Sequence, residues 1–341
     1  MPAMAQTDFM VARRTVLSGM LGIAAARRAP AGPERFAAAA DAARKLNQLH
    51  CLVIAQDGAT VFAESFRGPQ PDRPVNVKSV SKTLVASVTG AAIDRGVVPG
   101  IGATLGDVAP GLIPPDADPR VAGLTLEDLV TMRAGLARTS GPNYGAWVAS
   151  PNWVAYALRQ PFVADPGAAM LYSTGSYHVL GAALAEASGQ NLLAMSRDWI
   201  GEPLGIDIPP WTRDPQGFFL GGNEMALSPL ALLRFGEMVR QHGNWRGTQV
   251  LSSDWVQESL RPRTRSPYSG LAYGYGWFLG RGDRTTLALA RGYGGQVVAL
   301  APARRLTVVI TSDPTRPARS AGYFGDLMAL LTEKILPAAR S

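Results

Sequence analysis

The chain has 341 residues, of which 47% are hydrophobic and 17% charged, values typical of a folded globular protein and unlike those of disordered or fibrous ones. Its formal net charge is +7, but the basic residues are scattered singly or in pairs without interleaved aromatic residues, so we expect no nucleic-acid partner. A single cysteine excludes an internal disulfide, and three widely spaced histidines without a metal-binding spacing predict no metal site and no cofactor.

The first element is a candidate export signal. Arg13 and Arg14 precede an apolar run, residues 16–26, that is too short to span a bilayer and ends in small residues. This order resembles a twin-arginine signal, so we predict that residues 1–33 form a leader and that the protein is exported to the periplasm. The alternative is an amphipathic or disordered leader. No later segment approaches about eighteen uninterrupted apolar residues, so we expect no stable membrane insertion after signal removal.

The next elements are a helix, a hairpin and a second helix. An alanine-rich stretch near residues 34–46 predicts the first helix, and two strand-like runs around Asp57-Gly58 predict the hairpin. From residue 79 to 95, apolar residues such as Leu84 and Val88 recur at helical spacing, and Gly96 supplies the stop.

The remaining elements predict an α+β fold. Residues 97–244 show helical patterns, whereas strands return at 274–280, 285–302 and 306–314 before a terminal helix at 321–335. Strands from both ends of the chain would form one antiparallel sheet flanked by terminal helices. We therefore predict an α/β lobe built from residues 34–96 and 245–341, a helical lobe at 97–244, and an active site in the cleft between them.

Ser79 and Lys82 are the first candidates for chemistry. The chain has only four lysines among 33 basic residues, and a lysine, unlike an arginine, can act as a neutral amine when buried. At positions i and i+3 of a helix start, Lys82 could accept the proton of Ser79, and the helix dipole would favour the neutral amine. Ser81 is a rival nucleophile whose i+3 neighbour, Leu84, can take no proton. The alternative is a capping serine beside a solvated lysine.

Tyr172 and the glycines near residue 293 are the second and third candidates. A tyrosine near a lysine ammonium and a helix start can ionise more easily, so Tyr172 could relay a proton, unless it only packs at a lobe boundary. Gly292, Gly294 and Gly295 predict an edge strand whose bare backbone binds substrate and lends an N–H to an oxyanion hole. The alternative is a β-bulge or turn.

In this order, the motifs Ser79-x-x-Lys82, Tyr172-Ser173-Thr174 and the glycine-rich strand resemble those of the serine β-lactamase and penicillin-binding protein superfamily, in its class C-like branch. Segments around them, over about residues 45–335, are similar in particular to the esterases and amidases typified by the 6-aminohexanoate-dimer hydrolases. The resemblance implies a β-lactamase/transpeptidase-like fold and acyl transfer through a covalent serine.

The resemblance also implies roles for single residues. Ser79 would be the acylated nucleophile, Lys82 its base and Tyr172 the general acid/base for the leaving group. The backbone N–H groups of Ser79 and Tyr293 would form the oxyanion hole. We expect further substrate contacts at three positions: Thr174, Gly292 and Gly294.

Two departures from the family pattern bear on the substrate. Thr174 stands where an asparagine is usual, and Ala290 stands where the family has a lysine or histidine that binds the substrate carboxylate. If Ala290 faces the cleft that anchor is missing, and Arg291 replaces it only in another register. We therefore expect a small-molecule amide or ester substrate. The alternatives are a β-lactamase or D-alanyl-D-alanine carboxypeptidase, and a non-catalytic penicillin-binding-like sensor.

Other conspicuous side chains have structural interpretations. His178 lies about 1.7 turns beyond Tyr172 on the predicted helix and does not share its face, so we expect a structural histidine. Other expected structural residues are the helix-capping carboxylates Glu127 and Asp128, the core aromatics Tyr273, Tyr275 and Trp277, and the buried thiol of Cys51.

Overall fold

The structure is a computed structural model that describes residues 33–282 and 284–339. The predicted leader, including Arg13 and Arg14, lies outside the described residues except for its last residue. None of the helices in the described ranges combines the length and hydrophobicity that a membrane span requires.

An antiparallel sheet of eight strands forms the centre of the protein, in the order β2-β1-β12-β11-β10-β9-β8-β7. Its strands are β1 Leu49–Gln56, β2 Ala59–Ser65, β7 Thr264–Arg265, β8 Ala272–Tyr273, β9 Phe278–Gly282, β10 Thr285–Gly292, β11 Gln296–Ala301 and β12 Leu306–Ser312. Four short strands form two separate pairs, β3 Val75–Asn76 with β4 Ala226–Leu227 and β5 Asn244–Trp245 with β6 Thr248–Gln249. The sheet therefore combines strands from both ends of the chain, as expected.

Helices account for most of the chain between the strands. The α-helices are α1 Ala37–Lys45, α2 Val80–Asp94, α3 Leu105–Val108, α4 Leu126–Val130, α5 Tyr144–Val148, α6 Trp153–Leu158, α7 Thr174–Ser188, α8 Leu192–Ser196, α9 Glu202–Leu204, α10 Pro229–Arg240, α11 Ser253–Ser259, α12 Tyr323–Ala329 and α13 Leu336–Ala338. A π-helical segment, Leu330–Ile335, joins α12 to α13. The fold class is α+β, as predicted; the lobe boundaries at residues 97 and 245 stay predictions.

The sheet is covered by helices that bury its apolar side chains. The helix α10 packs on β1, β11 and β12, α2 packs on β10 and β11, and α1 packs on β1 and on the π-helical segment. The strands β11 and β12 are buried along their whole length. Strands buried on both faces require apolar residues at successive positions, which explains why their sequences do not alternate.

The glycine-rich stretch differs from its prediction. One strand was expected at residues 285–302, but the chain turns between β10 and β11, and β10 is an interior strand flanked by β9 and β11. Gly294 and Gly295 have φ of +82° and +95°, the left-handed region that glycine adopts without a steric penalty. The alternative interpretation of these glycines as a turn is therefore correct, and the edge-strand prediction was wrong.

Candidate active site

The start of α2 presents Ser79 at the end of a sharp backbone turn. Lys78 has φ of +51°, which is uncommon for a residue with a side chain. Two contacts hold it there: its N–H donates to Asn76 Oδ1 at 2.9 Å, and its Nζ pairs with Glu224 at 3.0 Å. Since α2 is almost wholly buried, Ser79 has a rigid support.

Lys82 lies directly behind Ser79 in the protein interior. Its Nζ donates to Ser79 Oγ at 3.0 Å, to Thr174 Oγ1 at 3.2 Å and to the carbonyl of Gly222 at 2.6 Å. The side chain is 2% exposed, and this burial lowers the pKa of Lys82 to about 7. A large fraction of Lys82 is therefore neutral near pH 7.

The hydrogen-bond pattern orients the neutral amine as a base. A neutral amine has two N–H donors and one lone pair, and the carbonyl of Gly222 can only accept. If the second N–H goes to Thr174 Oγ1, the lone pair is left for the hydroxyl of Ser79. This arrangement is what proton removal from Ser79 requires.

Tyr172 stands beside this pair at the start of α7. Its ring centroid is 5.1 Å from Lys82 Nζ. Burial raises the pKa of Tyr172, and the neighbouring Ser79 hydroxyl and Arg291 charge offset part of that effect. The expectation that Tyr172 ionises more easily than usual was therefore wrong. The resting side chain is a neutral phenol, which can donate a proton.

Thr174 connects Lys82 to a buried polar network that fixes the start of α7. Its Oγ1 lies 2.9 Å from Ser140 Oγ, which also accepts from the N–H of Thr174 at 2.8 Å. The Oγ1 of Thr139 accepts from the N–H of Gly175 at 2.8 Å in the same way. These hydroxyl groups satisfy helix N–H groups that would otherwise be unpaired, so they position Thr174 against Lys82.

Arg291, not Ala290, faces the active site. Paired antiparallel residues point to the same side of a sheet, and Ala290 pairs with Val298, which lies against α10 at Gly236. Successive side chains alternate, so Arg291 points to the other side and lines the cavity beside Ser79. The register in which Ala290 faced the cleft was wrong, and strand pairing, which sequence alone does not supply, decides it.

The guanidinium of Arg291 is half-buried without an acidic partner among the described residues. It lies 3.4 Å from the ring centroid of Phe324 and 5.2 Å from that of Phe278. Burial lowers the pKa of Arg291 to about 10, so it stays a cation at neutral pH. The cavity therefore contains a positive charge that an anionic group could neutralise.

The amides predicted for the oxyanion hole lie on segments that touch. A Cβ atom at Gly292 would come within 2.4 Å of the carbonyl oxygen of Val77, so the end of β10 abuts the segment before Ser79. In the described part of the chain, neither the Ser79 nor the Tyr293 amide donates to a backbone carbonyl. Both amides are thus free for an oxyanion.

The predicted residues surround one cavity of about 710 Å³. Ser79, Tyr172, Thr174, Gly292 and Tyr293 line it, and Lys82 lies behind Ser79. Gly294 is not brought to the cavity, because it lies in the β10–β11 turn against the backbone of Asp313. Sequence reasoning missed further lining residues, namely Tyr144, Asn223, Glu224, Phe278 and Phe324.

The rival nucleophile Ser81 is fully buried. Its Oγ donates to the Lys78 carbonyl at 2.6 Å and accepts from the N–H of Met225 at 3.2 Å. It therefore serves the backbone at the start of α2 and does not reach the cavity.

His178 and most other side chains with structural interpretations lie in the interior or cap helices. The prediction for Glu127 was wrong: its carboxylate does not cap the helix but accepts from Tyr275 Oη and pairs with Arg133 and Arg263. His178 is fully buried, with Nε2 3.0 Å from Asp214 Oδ2 and Nδ1 accepting from the N–H of Gly221 at 3.4 Å. It thereby holds the chain next to Gly222. Asp128 forms a capping box with Thr125, and the predicted core aromatics Tyr273, Tyr275 and Trp277 are at most 2% exposed. Burial raises the pKa of Cys51 to about 12.

Among the described residues, no group of three or more histidine, cysteine, aspartate or glutamate side chains is placed to hold a metal ion.

Comparison with known proteins identifies the family. The family model described as Beta-lactamase matches residues 38–332, which is most of the chain. The protein therefore belongs to the Beta-lactamase family, the serine β-lactamase and penicillin-binding protein type.

Individual relatives are more distant. The D-alanyl-D-alanine-carboxypeptidase/endopeptidase AmpH of Escherichia coli K12 is 29% identical over 208 residues, which are 56% of this chain and 52% of AmpH. The match thus spans about half the length of this curated relative. A Bacillus anthracis protein described as a candidate 6-aminohexanoate-dimer hydrolase has a similar fold, with a TM-score of 0.73 and 16% identity over 86% of this chain and 81% of that one.

A third similar structure is EstCE1, described as a hydrolase with promiscuous acyltransferase activity. It has a TM-score of 0.72 and 16% identity over 87% of this chain and 96% of its own. At these identities the two structural likenesses show the shared fold.

Proposed function

We propose that the protein is a class C-like serine hydrolase that cleaves an amide or ester through an acyl-serine intermediate. The observation that carries the proposal is the buried amine of Lys82, whose pKa is lowered to about 7 and whose Nζ lies 3.0 Å from Ser79 Oγ. A lysine that served only as a structural cation would be expected to have an acidic partner, and its partners are hydroxyls and a carbonyl.

The proposed reaction begins with proton transfer from Ser79 to Lys82. The Ser79 oxygen attacks the substrate carbonyl, and the amides of Ser79 and Tyr293 stabilise the oxyanion. The phenol of Tyr172 donates its proton to the leaving alcohol or amine, and the Lys82 ammonium then reprotonates Tyr172. Water attacks the acyl-serine by the reverse sequence of proton transfers and releases the acid.

Covalent labelling tests this proposal. A serine-reactive acylating probe is expected to add one acyl group to Ser79, detected by mass spectrometry of the intact protein and of its peptides. Ser79→Ala should abolish the adduct, whereas the matched control Ser81→Ala alters a serine of the same helical turn that does not line the cavity. Labelling that persists in Ser79→Ala would refute the assignment. Detectable turnover of a p-nitrophenyl ester would dismiss the non-catalytic sensor.

A second candidate function, D-alanyl-D-alanine carboxypeptidase or β-lactamase, is favoured by Arg291. The substrates of both activities carry a carboxylate, and Arg291 places on the cavity wall a cation that has no acidic partner among the described residues. The relative AmpH is a D-alanyl-D-alanine-carboxypeptidase/endopeptidase. A long-lived penicillin adduct on Ser79, lost or slowed at least about tenfold in Arg291→Gln, would support this candidate. Fast penicillin hydrolysis without a lasting adduct would support the β-lactamase, whereas absence of both adduct and hydrolysis alongside ester turnover would leave the esterase or amidase.

We also propose export to the periplasm, on the twin-arginine pattern at residues 13–26. The protein should accumulate in the periplasmic fraction, and Arg13→Lys combined with Arg14→Lys should retain it in the cytoplasm. Unchanged fractionation of that variant would contradict the proposal.

A further inference from the structure

A second cavity, of about 300 Å³, lies between the sheet and the C-terminal helix. Residues of β9 and β10 form one wall, and residues of α12 and the segment after it form the other. Its lining is dominated by apolar side chains, namely Leu271, Leu287, Leu289, Phe324 and Met328. An apolar cavity of this kind favours an apolar occupant, because burying hydrocarbon there removes it from water.

This apolar cavity adjoins the catalytic one. Ser269, Ser320, Arg291 and Phe324 line both. The strand β10 provides the continuity: Leu287, Leu289 and Arg291 are alternate residues, so they share one face of the sheet. A substrate chain that leaves the catalytic cavity past Arg291 therefore meets the apolar wall of the second cavity.

The shared wall suggests which half of the substrate enters. Arg291 and Tyr172 both line the catalytic cavity that contains Ser79. Tyr172 is the proposed donor to the leaving group, so the leaving group lies on the Arg291 side of the scissile bond. The stacked guanidinium and Phe324 ring present flat, weakly hydrated surfaces along which a methylene chain can pass.

We propose that the cavity between β9, β10 and α12 is a subsite for an unbranched alkyl chain on the leaving alcohol or amine of the substrate. The proposal rests on the proposed hydrolase function. It deepens that function by assigning a substrate class, aliphatic esters or amides whose leaving group carries a linear chain.

Two ester series test the assignment. In alkyl acetates from ethyl to decyl, kcat/KM should rise about fourfold per methylene until the chain fills the cavity. In ethyl esters of acids from acetic to decanoic, kcat/KM should vary by no more than about threefold. A flat alkyl acetate series alongside measurable turnover of ethyl acetate would overturn the subsite. A rise confined to the acyl series would overturn its assignment to the leaving group.

Variants of Met328 test whether the rise of kcat/KM with alcohol chain length arises in this cavity. Met328→Trp fills the cavity and should flatten the alkyl acetate series, whereas Met328→Ala enlarges it and should move the plateau to longer alcohols. Glu333→Trp introduces the same side chain at an exposed position of the adjoining π-helical segment and should keep the wild-type dependence of kcat/KM on alcohol chain length. Suppose that kcat/KM rises with alcohol chain length in a folded Met328→Trp protein as it does in the wild type, and that the plateau in Met328→Ala stays at the same chain length. This result would refute the placement of the subsite in the cavity beside Met328.

A binding measurement separates this inference from the proposed function. Calorimetric titration of Ser79→Ala with octyl acetate should show binding that is at least about tenfold tighter than with ethyl acetate, and Met328→Trp in that background should remove the difference. This result would support the subsite even if the wild-type protein turned over no ester. Equal affinities for both acetates would overturn the subsite whatever the catalytic outcome.

Discussion

At the residue scale, Lys82 is a buried amine whose ammonium form is destabilised by loss of water. Taking an ammonium out of water is expensive, and no acidic partner repays it here. The sequence indicated the pair Ser79 and Lys82, because spacing of three within a helix is a local property. It could not indicate Gly222, since that carbonyl approaches Lys82 through the pairing of β3 with β4.

The pH dependence of activity should follow Lys82. The proposed base must be neutral, so kcat/KM for an ester is expected to rise tenfold per pH unit below pH 7 and to level off above it, since the pKa of Lys82 is about 7. Because the pKa of Tyr172 is raised, loss of its proton should lower activity only at strongly alkaline pH.

The profile is measured as initial rates after subtraction of buffer hydrolysis. Lys45→Gln, which changes an exposed lysine, should leave the midpoint unchanged, and Lys82→Arg should lower kcat by about 10²- to 10⁴-fold. A midpoint in the ordinary lysine range would contradict the assignment of Lys82 as base.

The same buried amine should make stability depend on pH. Above pH 7 the native Lys82 is mostly neutral, whereas a lysine in the unfolded chain keeps its proton up to its ordinary pKa of 10.5. The unfolded state then binds more protons, so the contribution of Lys82 to stability is least favourable below pH 7 and improves as pH rises through that window.

Lys82→Met should therefore stabilise the protein most at low pH. The gain in the free energy of unfolding at pH 6 is expected to reach at most about 5 kcal/mol, less the cost of leaving the Gly222 carbonyl unpaired, and to shrink toward pH 10. Urea denaturation at pH 6 and pH 9.5 measures it, with the exposed Lys45→Met as control. A pH-independent difference would show that burial of the charge is not the cause.

At the element scale, the residues in the turns explain which strand predictions were confirmed and which were wrong. The hairpin around Asp57-Gly58 was readable, because an Asp-Gly pair favours the positive φ values, +55° and +83°, that the structure has there. The stretch from 285 to 302 was read as one strand, because its three glycines fit a close backbone approach as well as a turn. Both occur: Gly292 abuts Val77, and Gly294 and Gly295 turn the chain.

Gly292 should be needed for the spacing between β10 and α2. In Gly292→Ala, the added Cβ would meet the carbonyl oxygen of Val77 at 2.4 Å and push the Tyr293 amide away from Ser79. We expect kcat to fall by about 10- to 100-fold, with a smaller change in KM, because an oxyanion-hole donor acts chiefly in the transition state. Steady-state kinetics measures both constants.

Gly123→Ala provides the matched control, since a Cβ there meets nothing within 4 Å. Equal kinetics for Gly292→Ala and the wild type would show that β10 does not set the position of the Tyr293 amide.

At the scale of the whole molecule, the C-terminal helical segment completes the covering of the sheet. Leu331, Ile335 and Leu336 are at most 1% exposed, and the segment packs against α1. Leu331→Ala should lower the free energy of unfolding by about 2–5 kcal/mol, as expected for a cavity in a well-packed core. Urea denaturation measures the loss, and the exposed Glu333→Ala should change stability by less than about 0.5 kcal/mol. If Leu331→Ala lowered the free energy of unfolding by less than about 0.5 kcal/mol, the segment would contribute little to the stability of the core.

The pairing of β1 with β12 has a consequence for biosynthesis. Leu49 pairs with Ser312, so β1 lacks one of its two neighbours until residue 312 has left the ribosome. Meanwhile the apolar hairpin formed by β1 and β2 exposes an open edge, which is prone to aggregation. Sheet closure therefore waits for the synthesis of β12 and is slowed by the long loop it must close. Ser79, though made early, gains its Tyr293 partner only once β10 has been synthesised, so a truncated nascent chain carries no assembled hydrolase.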